Sequence, residues 1–402
     1  MNLNIVDNAL DFAELDARMQ SYVDRDILGC LSTVVLRGTE IVHARRHGWM
    51  DVHERRPLAN DAIFRMYSNT KLITSVALML LYDEGKFALD DPLAKFLPTF
   101  STVNVLKTDA QDIEDIEPLK TPITLRHILS HSAGLSYGFL EPDSLIDKAY
   151  IAAKVTPVSE PNQTLESLAQ QLSELPLCYQ PGTSWRYSFA SDLCARVVEV
   201  LTGERFDTFL RTRIFEPLAM TDTDFWVPPA KQDRLVTMYT APDLMDGMKS
   251  GFDENDPASS DRRALTPTFL SGGGGLLSTI VDYTTFIQMI IAGGSWNGER
   301  ILRTDTLELM RTNQLNPGVH VHFPMFKMPD TVFGLGFAIK TAASQREPQT
   351  AVGEYYWGGM AGTHSWVSPS ANLAGLCFTQ RMPGFWHRFS HDFRTLVYAA
   401  GE

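Results

Sequence analysis

Residues 67–85 (YSNTKLITSVALMLLYDEG) are apolar on almost every side. Leu72, Val76 and Leu80 line one helical face and Ile73, Ala77 and Leu81 the next, so the spacing predicts a buried helix. Gly85 is placed to end it in a left-handed cap. Elsewhere the pattern is amphipathic or alternating. Residues 8–25 show helical spacing, and 31–36 with 41–44 read as a hairpin around Arg37-Gly38-Thr39-Glu40, where Gly38 supplies a primed turn. Short helices follow at ITLRHILSHSAGL (ending near Gly134), at 163–176 and at 190–202, the last closed by Gly203. DAQDIEDIEP and the polar stretch 241–263 read as surface loops. Gly272 to Gly275 lead into a helix that a Thr279-x-x-Asp282 capping box starts, and another helix lies near 303–312. The last hundred residues turn β-rich, through FGLGFAIK, GTHSWVSP and LAGLCFTQ, before a final helix at 388–400.

Strands thus sit at both ends of the chain and helices between them. Pairing of the terminal segments gives an α/β lobe from 1–66 and 300–402, with a mainly helical lobe, 67–299, inserted. The 402 residues are enough for two such packed lobes. The central helix would lie where the lobes meet, a common place for a pocket. The net charge of −13 argues against nucleic-acid binding. The N-terminal residues lack the pattern of a secretory signal, and no apolar run reaches the about twenty residues of a bilayer span. Cys30, Cys178, Cys194 and Cys377 are scattered without a C-x-x-C pair, so reduced thiols and a cytoplasmic location are expected.

The candidate chemistry begins at the start of the central helix, with Ser68-Asn69-Thr70-Lys71. Unpaired amides at a helix N-terminus favour an oxyanion formed at Ser68. Residues three apart share a face, so the Lys71 amine comes within reach of the Ser68 hydroxyl. Burial and the positive helix end both disfavour an ammonium, which pushes Lys71 towards a usable base. A lone Ser-x-x-Lys is common by chance, and its bland reading is an N-cap with a solvated lysine. Tyr187 follows a Pro-Gly turn and precedes a helix; a buried tyrosine near a lysine can be pushed towards phenolate and serve as base for a serine, its bland reading being a packed ring with the hydroxyl bonded. Gly358-Gly359 lies beside a strand, where paired glycines let a substrate come close to backbone, and the Met360 amide would be the second oxyanion donor beside that of Ser68. His364 is near this motif, but nothing marks it as a triad base.

The ordered set Ser68-x-x-Lys71, LRHILSHSAGL, PGTSWRYS, GGGGLLST and Trp357-Gly358-Gly359 resembles the serine β-lactamase and penicillin-binding-protein superfamily, in its class C-like branch, over nearly the whole chain. Within it the chain is most similar to family VIII carboxylesterases and lovastatin-type acyltransferases. The resemblance implies an antiparallel sheet flanked by helices with a helical insertion, and an acyl-enzyme on Ser68 with Lys71 and Tyr187 sharing the proton traffic. Which of these two is the base in acylation stays open. Two departures from β-lactamases stand out: Tyr-x-Asn appears as Tyr187-Ser188-Phe189, and Lys-Thr-Gly as Trp357-Gly358-Gly359. Loss of the lysine favours neutral esters over anionic lactams. GLSYGFLEP resembles a pocket wall of these esterases, which makes Tyr137 and Phe139 acyl-pocket residues, with Trp357 opposite.

Two further motifs are decoys. Gly134-Leu135-Ser136-Tyr137-Gly138 matches a nucleophile elbow, yet a helix precedes it where that motif needs a strand. His127 and His131 have metal-like spacing, but Ile128 stands where a zinc peptidase needs glutamate. The expectation is therefore a serine hydrolase that cleaves small carboxylic esters, with no cofactor, metal, nucleic acid or membrane partner. A β-lactamase or D-amino-acid peptidase, an acyltransferase and a non-catalytic binding module are the alternatives.

Overall fold

The computed structural model describes residues 3–155, 162–243, 246–256 and 267–401. Its main sheet has eight strands: β1 (Cys30–Arg37), β2 (Glu40–Asp51), β3 (Arg56–Pro57), β4 (Thr331–Phe333), β5 (Ala338–Lys340), β6 (Tyr355–Gly358), β7 (Thr363–Ser368) and β8 (Leu373–Phe378). They lie in the order β4-β5-β6-β7-β8-β1-β2-β3. Every neighbour is antiparallel, and β1 meets β8 in the register Val34↔Leu376, so the first and last parts of the chain share one sheet. The expected hairpin forms, with Arg37 opposite Glu40 and Gly38 at φ +57°.

Alternation along β1 divides the core. Leu31 and Val35 point to one face, where the helices Ala13–Asp24 and Arg388–Gly401 bring Leu15, Met19, Phe389 and Phe393. Val34 and Leu36 point to the other, joining the core that holds the central helix Thr70–Asp83. Leu72 to Leu81 of that helix are all buried, and each large apolar side chain contributes about 1.5–3 kcal/mol. The helix ends as its sequence implies, with Gly85 at φ +70° and the Lys86 amide donating to Leu81 O at 3.0 Å. It packs against the helix Ala190–Thr202, itself closed by Gly203 at φ +73°.

Several segments depart from the pattern. FGLGFAIK runs from the end of β4 through a turn at 334–337 into β5: a Cβ on Gly334 would lie 2.1 Å from Met310 O and one on Gly336 2.3 Å from Ser75 Oγ, so the turn is pressed onto the helices behind it. ITLRHILSHSAGL is helical only over Leu125–Leu129, stopping before His131, whose φ is +56°. The acidic segment expected as a loop carries the strand Ile116–Pro118, paired with Asn104–Leu106. Within 241–263, Asp253–Asp256 pairs with Met238–Thr240, whereas 244–245 and 257–263 lie outside the described residues. Thr279 does cap the helix Ile280–Ile291, accepting from the Asp282 amide at 3.1 Å. The Asp282 carboxylate does not complete the box; it accepts from the Asp222 amide and the Thr223 hydroxyl instead. This helix, although in the middle of the chain, lies against β1 and β8.

Candidate active site

Ser68 sits in a single 3-10 turn, Tyr67–Asn69, immediately before the central helix. Tyr67 has φ +45°, a left-handed conformation that costs a non-glycine residue on the order of 1 kcal/mol or more. The turn is held by what surrounds it. Asn69 is fully buried; its Nδ2 donates to Thr363 O at 3.0 Å and its Oδ1 accepts from Ser365 Oγ at 3.2 Å. Tyr283 OH donates to Asn69 O at 2.9 Å, and Thr363 Oγ1 donates to Met66 O at 2.9 Å. The Ser68 turn is thereby strapped to β7 on both sides, while Ser68 itself stays half-buried.

Lys71, one helical turn on, is buried and carries its amine to 3.3 Å from Ser68 Oγ, 2.8 Å from Tyr137 OH and 2.6 Å from Gly273 O. Burial pulls its pKa down to about 7, with the Asp192 charge acting in the opposite direction. A neutral amine has two N–H groups and one lone pair. Gly273 O can only accept; with a second N–H on Tyr137 OH, the lone pair is left for the Ser68 hydroxyl. The amine also lies 4.5 Å from the centre of the Tyr187 ring.

Tyr187 is buried; its hydroxyl accepts from Trp357 Nε1 at 3.2 Å and hydrogen-bonds with Ser68. The expected shift towards phenolate is not found. Burial raises this pKa above the ordinary tyrosine value, outweighing the hydrogen bonds with Ser68 and Trp357 that lower it. At rest the Tyr187 phenol keeps its proton.

The paired glycines meet the Ser68 turn closely. A Cβ on Gly359 would stand 2.3 Å from Met66 O and 2.4 Å from Thr363 Oγ1, so only glycine fits. The Gly362 amide donates to Gly359 O at 2.9 Å, which fixes the Gly359–Met360 peptide plane and with it the direction of the Met360 N–H. Neither the Ser68 nor the Met360 amide has a hydrogen-bond partner among the described residues.

Aromatic rings wall the cluster. Tyr137 packs on Phe139, Tyr187 and Phe189 with centroids 5.4, 5.2 and 4.5 Å apart. Tyr137 was expected only as a pocket residue, but its hydroxyl belongs to the Lys71 cluster. Trp357 is fully buried and acts through its bond to Tyr187, while Phe323 and Phe385 pack beside it. A cavity of about 520 Å³ lies behind β6, lined by Phe326, Tyr356, Phe385, Trp386 and Arg394; it does not reach Ser68.

Asp192 was missed from the sequence. It is buried in the first turn of the helix Ala190–Thr202; its Oδ1 accepts from Ser271 Oγ at 2.7 Å and the Gly273 amide at 3.1 Å, and its Oδ2 has no hydrogen-bond partner among the described residues. Burial raises its pKa, with Lys71 opposing. The only sequence signal was an acidic residue near a helix start, which reads first as a dipole partner. The segment GGGGLLST, whose role the pattern did not give, docks here: Thr74 Oγ1 donates to Gly272 O at 2.8 Å and the Leu276 amide donates to Thr70 Oγ1 at 3.1 Å.

The decoys have structural partners. Ser136 is fully buried, donates to Asp147 Oδ1 at 2.5 Å and accepts from Arg186 Nε at 2.8 Å, and that Asp147 carboxylate is itself paired with Arg186. His127 Nδ1 accepts from the Thr124 amide at 3.1 Å, completing a capping box. His131, expected to be an ordinary polar residue, instead packs on Tyr187 with ring centroids 4.9 Å apart; burial, then Lys71, holds it neutral. His364 Nε2 is 3.0 Å from Gly384 O, and burial takes its pKa down to about 3. Among the described residues no group of three or more His, Cys, Asp or Glu is placed to hold a metal, and no helix is long and apolar enough to cross a membrane.

Residues 15–400 match the family model described as Beta-lactamase. Esterase EstB of Burkholderia gladioli is 29% identical over 92% of this chain and 92% of its own. Acyltransferase calJ of Penicillium decumbens is 28% identical over 81% of this chain and 78% of its own. Among solved structures, EstCE1, described as a hydrolase with promiscuous acyltransferase activity, superposes with a TM-score of 0.79 at 23% identity, covering 96% of this chain and 97% of that one.

Proposed function

Because the chain belongs to the beta-lactamase family of serine hydrolases, we propose that it cleaves carboxylic esters through an acyl-enzyme on Ser68. The observation that carries this is the buried Lys71 amine, near neutral pKa and 3.3 Å from Ser68 Oγ. Lys71 takes the Ser68 proton as Oγ attacks the ester carbonyl. The Ser68 and Met360 amides receive the oxyanion, each such donor being worth about 10²–10³ in rate. Tyr187 gives its proton to the leaving alcohol; the phenolate left behind faces the new Lys71 ammonium, 4.5 Å from its ring centre. In the second half the phenolate takes a proton from water, hydroxide attacks the acyl carbon, and Lys71 returns its proton to Ser68 Oγ. Ester and water become acid and alcohol, and both side chains are reset.

The substrate class follows from the departures at Ser188-Phe189 and Trp357: no lysine stands where a lactam carboxylate would be paired, and aromatic rings line the site. Small neutral esters fit these walls, with Tyr137 and Phe139 on one side and Trp357, Gly358 and Gly359 on the other. The unpaired Cys30, Cys178, Cys194 and Cys377 suit a reducing compartment, the cytoplasm.

The test is turnover of p-nitrophenyl butyrate with intact-mass analysis of the quenched enzyme. Ser68→Ala should abolish both turnover and the acyl adduct, while Ser136→Ala keeps both. Activity that survives Ser68→Ala would sink the reading. Nitrocefin should be turned over far more slowly than the ester. A second reading, acyl transfer, is favoured by the likeness to acyltransferase calJ. It predicts that added alcohols divert the acyl group from water, which product analysis would show.

A further inference from the structure

Asp192 places a buried carboxylate beside the Lys71 cluster without touching Ser68. The Gly272–Gly273 peptide is clamped at both ends, its carbonyl accepting from Thr74 Oγ1 at 2.8 Å and its N–H donating to Asp192 Oδ1 at 3.1 Å. The next carbonyl, Gly273 O, accepts from Lys71 Nζ at 2.6 Å. A side chain at 273 would break this arrangement: its Cβ would lie 2.5 Å from Asp192 Oδ2 and 2.8 Å from Tyr137 OH. Asp192 Oδ2 and Tyr137 OH therefore flank the same Cα. A buried carboxylate oxygen with no hydrogen-bond partner among the described residues is costly, and the positive charge that forms on Lys71 in the reaction would offset it.

We propose that Asp192 is a positioning residue for the Ser68–Lys71 reaction, holding the Gly273 carbonyl against the lysine amine and supporting the ammonium formed when Lys71 takes the Ser68 proton. The inference rests on the acyl-enzyme reading above. It explains why three consecutive groups (Ser271 Oγ, Gly273 N–H and Gly273 O) connect the carboxylate to the amine. The other titratable groups coupled to this pair are Tyr137, Tyr187 and Cys194 facing Asp192, and His131 facing Lys71. The three beside Asp192 are held neutral by burial, raised above their ordinary values, and His131 is held neutral by burial, lowered. The Lys71 ammonium thus has Asp192 as its anionic partner among these groups.

The experiment is the pH profile of kcat/KM on p-nitrophenyl butyrate for the wild type, Asp192→Asn and Ser271→Ala. The wild type should show an acidic limb near the Lys71 pKa of about 7. Asp192→Asn keeps an acceptor for Ser271 and Gly273 but removes the charge, so the limb should move about one unit to lower pH. Its kcat should fall about tenfold or more with KM nearly unchanged, since Asp192 does not touch substrate. Ser271→Ala, on a half-buried side chain, weakens the hold on Asp192 and should move the limb the same way by less, giving a reading even if the Asn variant fails to fold. Limbs that stay with the wild type in both variants, whatever the loss of rate, would overturn the proposal while leaving the acyl-enzyme on Ser68 intact. A wild type with no such limb and no adduct on Ser68 would overturn both together.

Discussion

Trp357→Phe tests the role of Tyr187 as acid. The substitution keeps an aromatic ring against Phe333 and Phe385 but removes the Nε1–H that Tyr187 OH accepts at 3.2 Å. That bond lowers the Tyr187 pKa against the larger upward push of burial. Without it the phenol holds its proton more tightly and donates less readily to a leaving alkoxide. A buried hydrogen bond to a neutral acceptor is worth about 1 kcal/mol and one to a charged acceptor about 1.5–3 kcal/mol. Only the difference acts on the rate, because the bond exists in the ground state as well. That difference, about 0.5–2 kcal/mol, corresponds to a loss of roughly 2- to 30-fold. The loss should depend on the leaving group. p-Nitrophenolate leaves with little help, whereas an ethoxide needs the full proton. Ethyl butyrate and p-nitrophenyl butyrate should therefore be compared by kcat/KM, which reports acylation. The ethyl ester is expected to suffer the whole loss and the nitrophenyl ester only a small part of it. Equal losses on both esters would refute proton donation by Tyr187 and leave Trp357 with a packing role.

Other outcomes follow from the same geometry. Asn69→Ala removes two buried hydrogen bonds, to Thr363 O and from Ser365 Oγ, while Thr363 O keeps the Gly359 amide, so stability should drop by roughly 1–3 kcal/mol in denaturant melts, with kcat falling as the Ser68 turn loosens. Ser136→Ala should keep ester turnover near the wild type while lowering the melting temperature, because Asp147 and Arg186 each lose a buried partner. Glu347 bonds Lys340 and Arg394; burial pushes its pKa up, but the two cations win and hold it at about 2 against an ordinary 4.5. Its contribution is present above pH 4.5 and is lost as pH falls from there through about 2, so Glu347→Gln should flatten the melting temperature across that window.

What the sequence revealed was local. Ser68 and Lys71 are one helical turn apart, Gly85 and Gly203 close helices from within their own segments, and Tyr187 follows a Pro-Gly turn. What it hid depends on distant segments meeting. Asp192 gains meaning only when Gly273 docks on it, and Asn69 only when β7 arrives with Thr363 and Ser365. The Tyr187 shift was misjudged because burial itself disfavours the phenolate, and what opposes it is not the lysine but the hydrogen bonds with Ser68 and Trp357, whose partners come from distant segments. Likewise Gly334 and Gly336 look like strand interruptions until the helices they press against are in place.

The pairing of β1 with β8 has a consequence during synthesis on the ribosome. Ser68 and Lys71 are polymerised early, but Met360, Thr363 and Ser365, which hold and complete the turn, emerge some three hundred residues later. Until then the β1 edge is open to strangers, and closing so long a loop is slow. On the acyl-enzyme reading, a nascent or prematurely ended chain would carry Ser68 without the groups that complete its turn, and would be exposed to misassociation rather than to wasteful acylation.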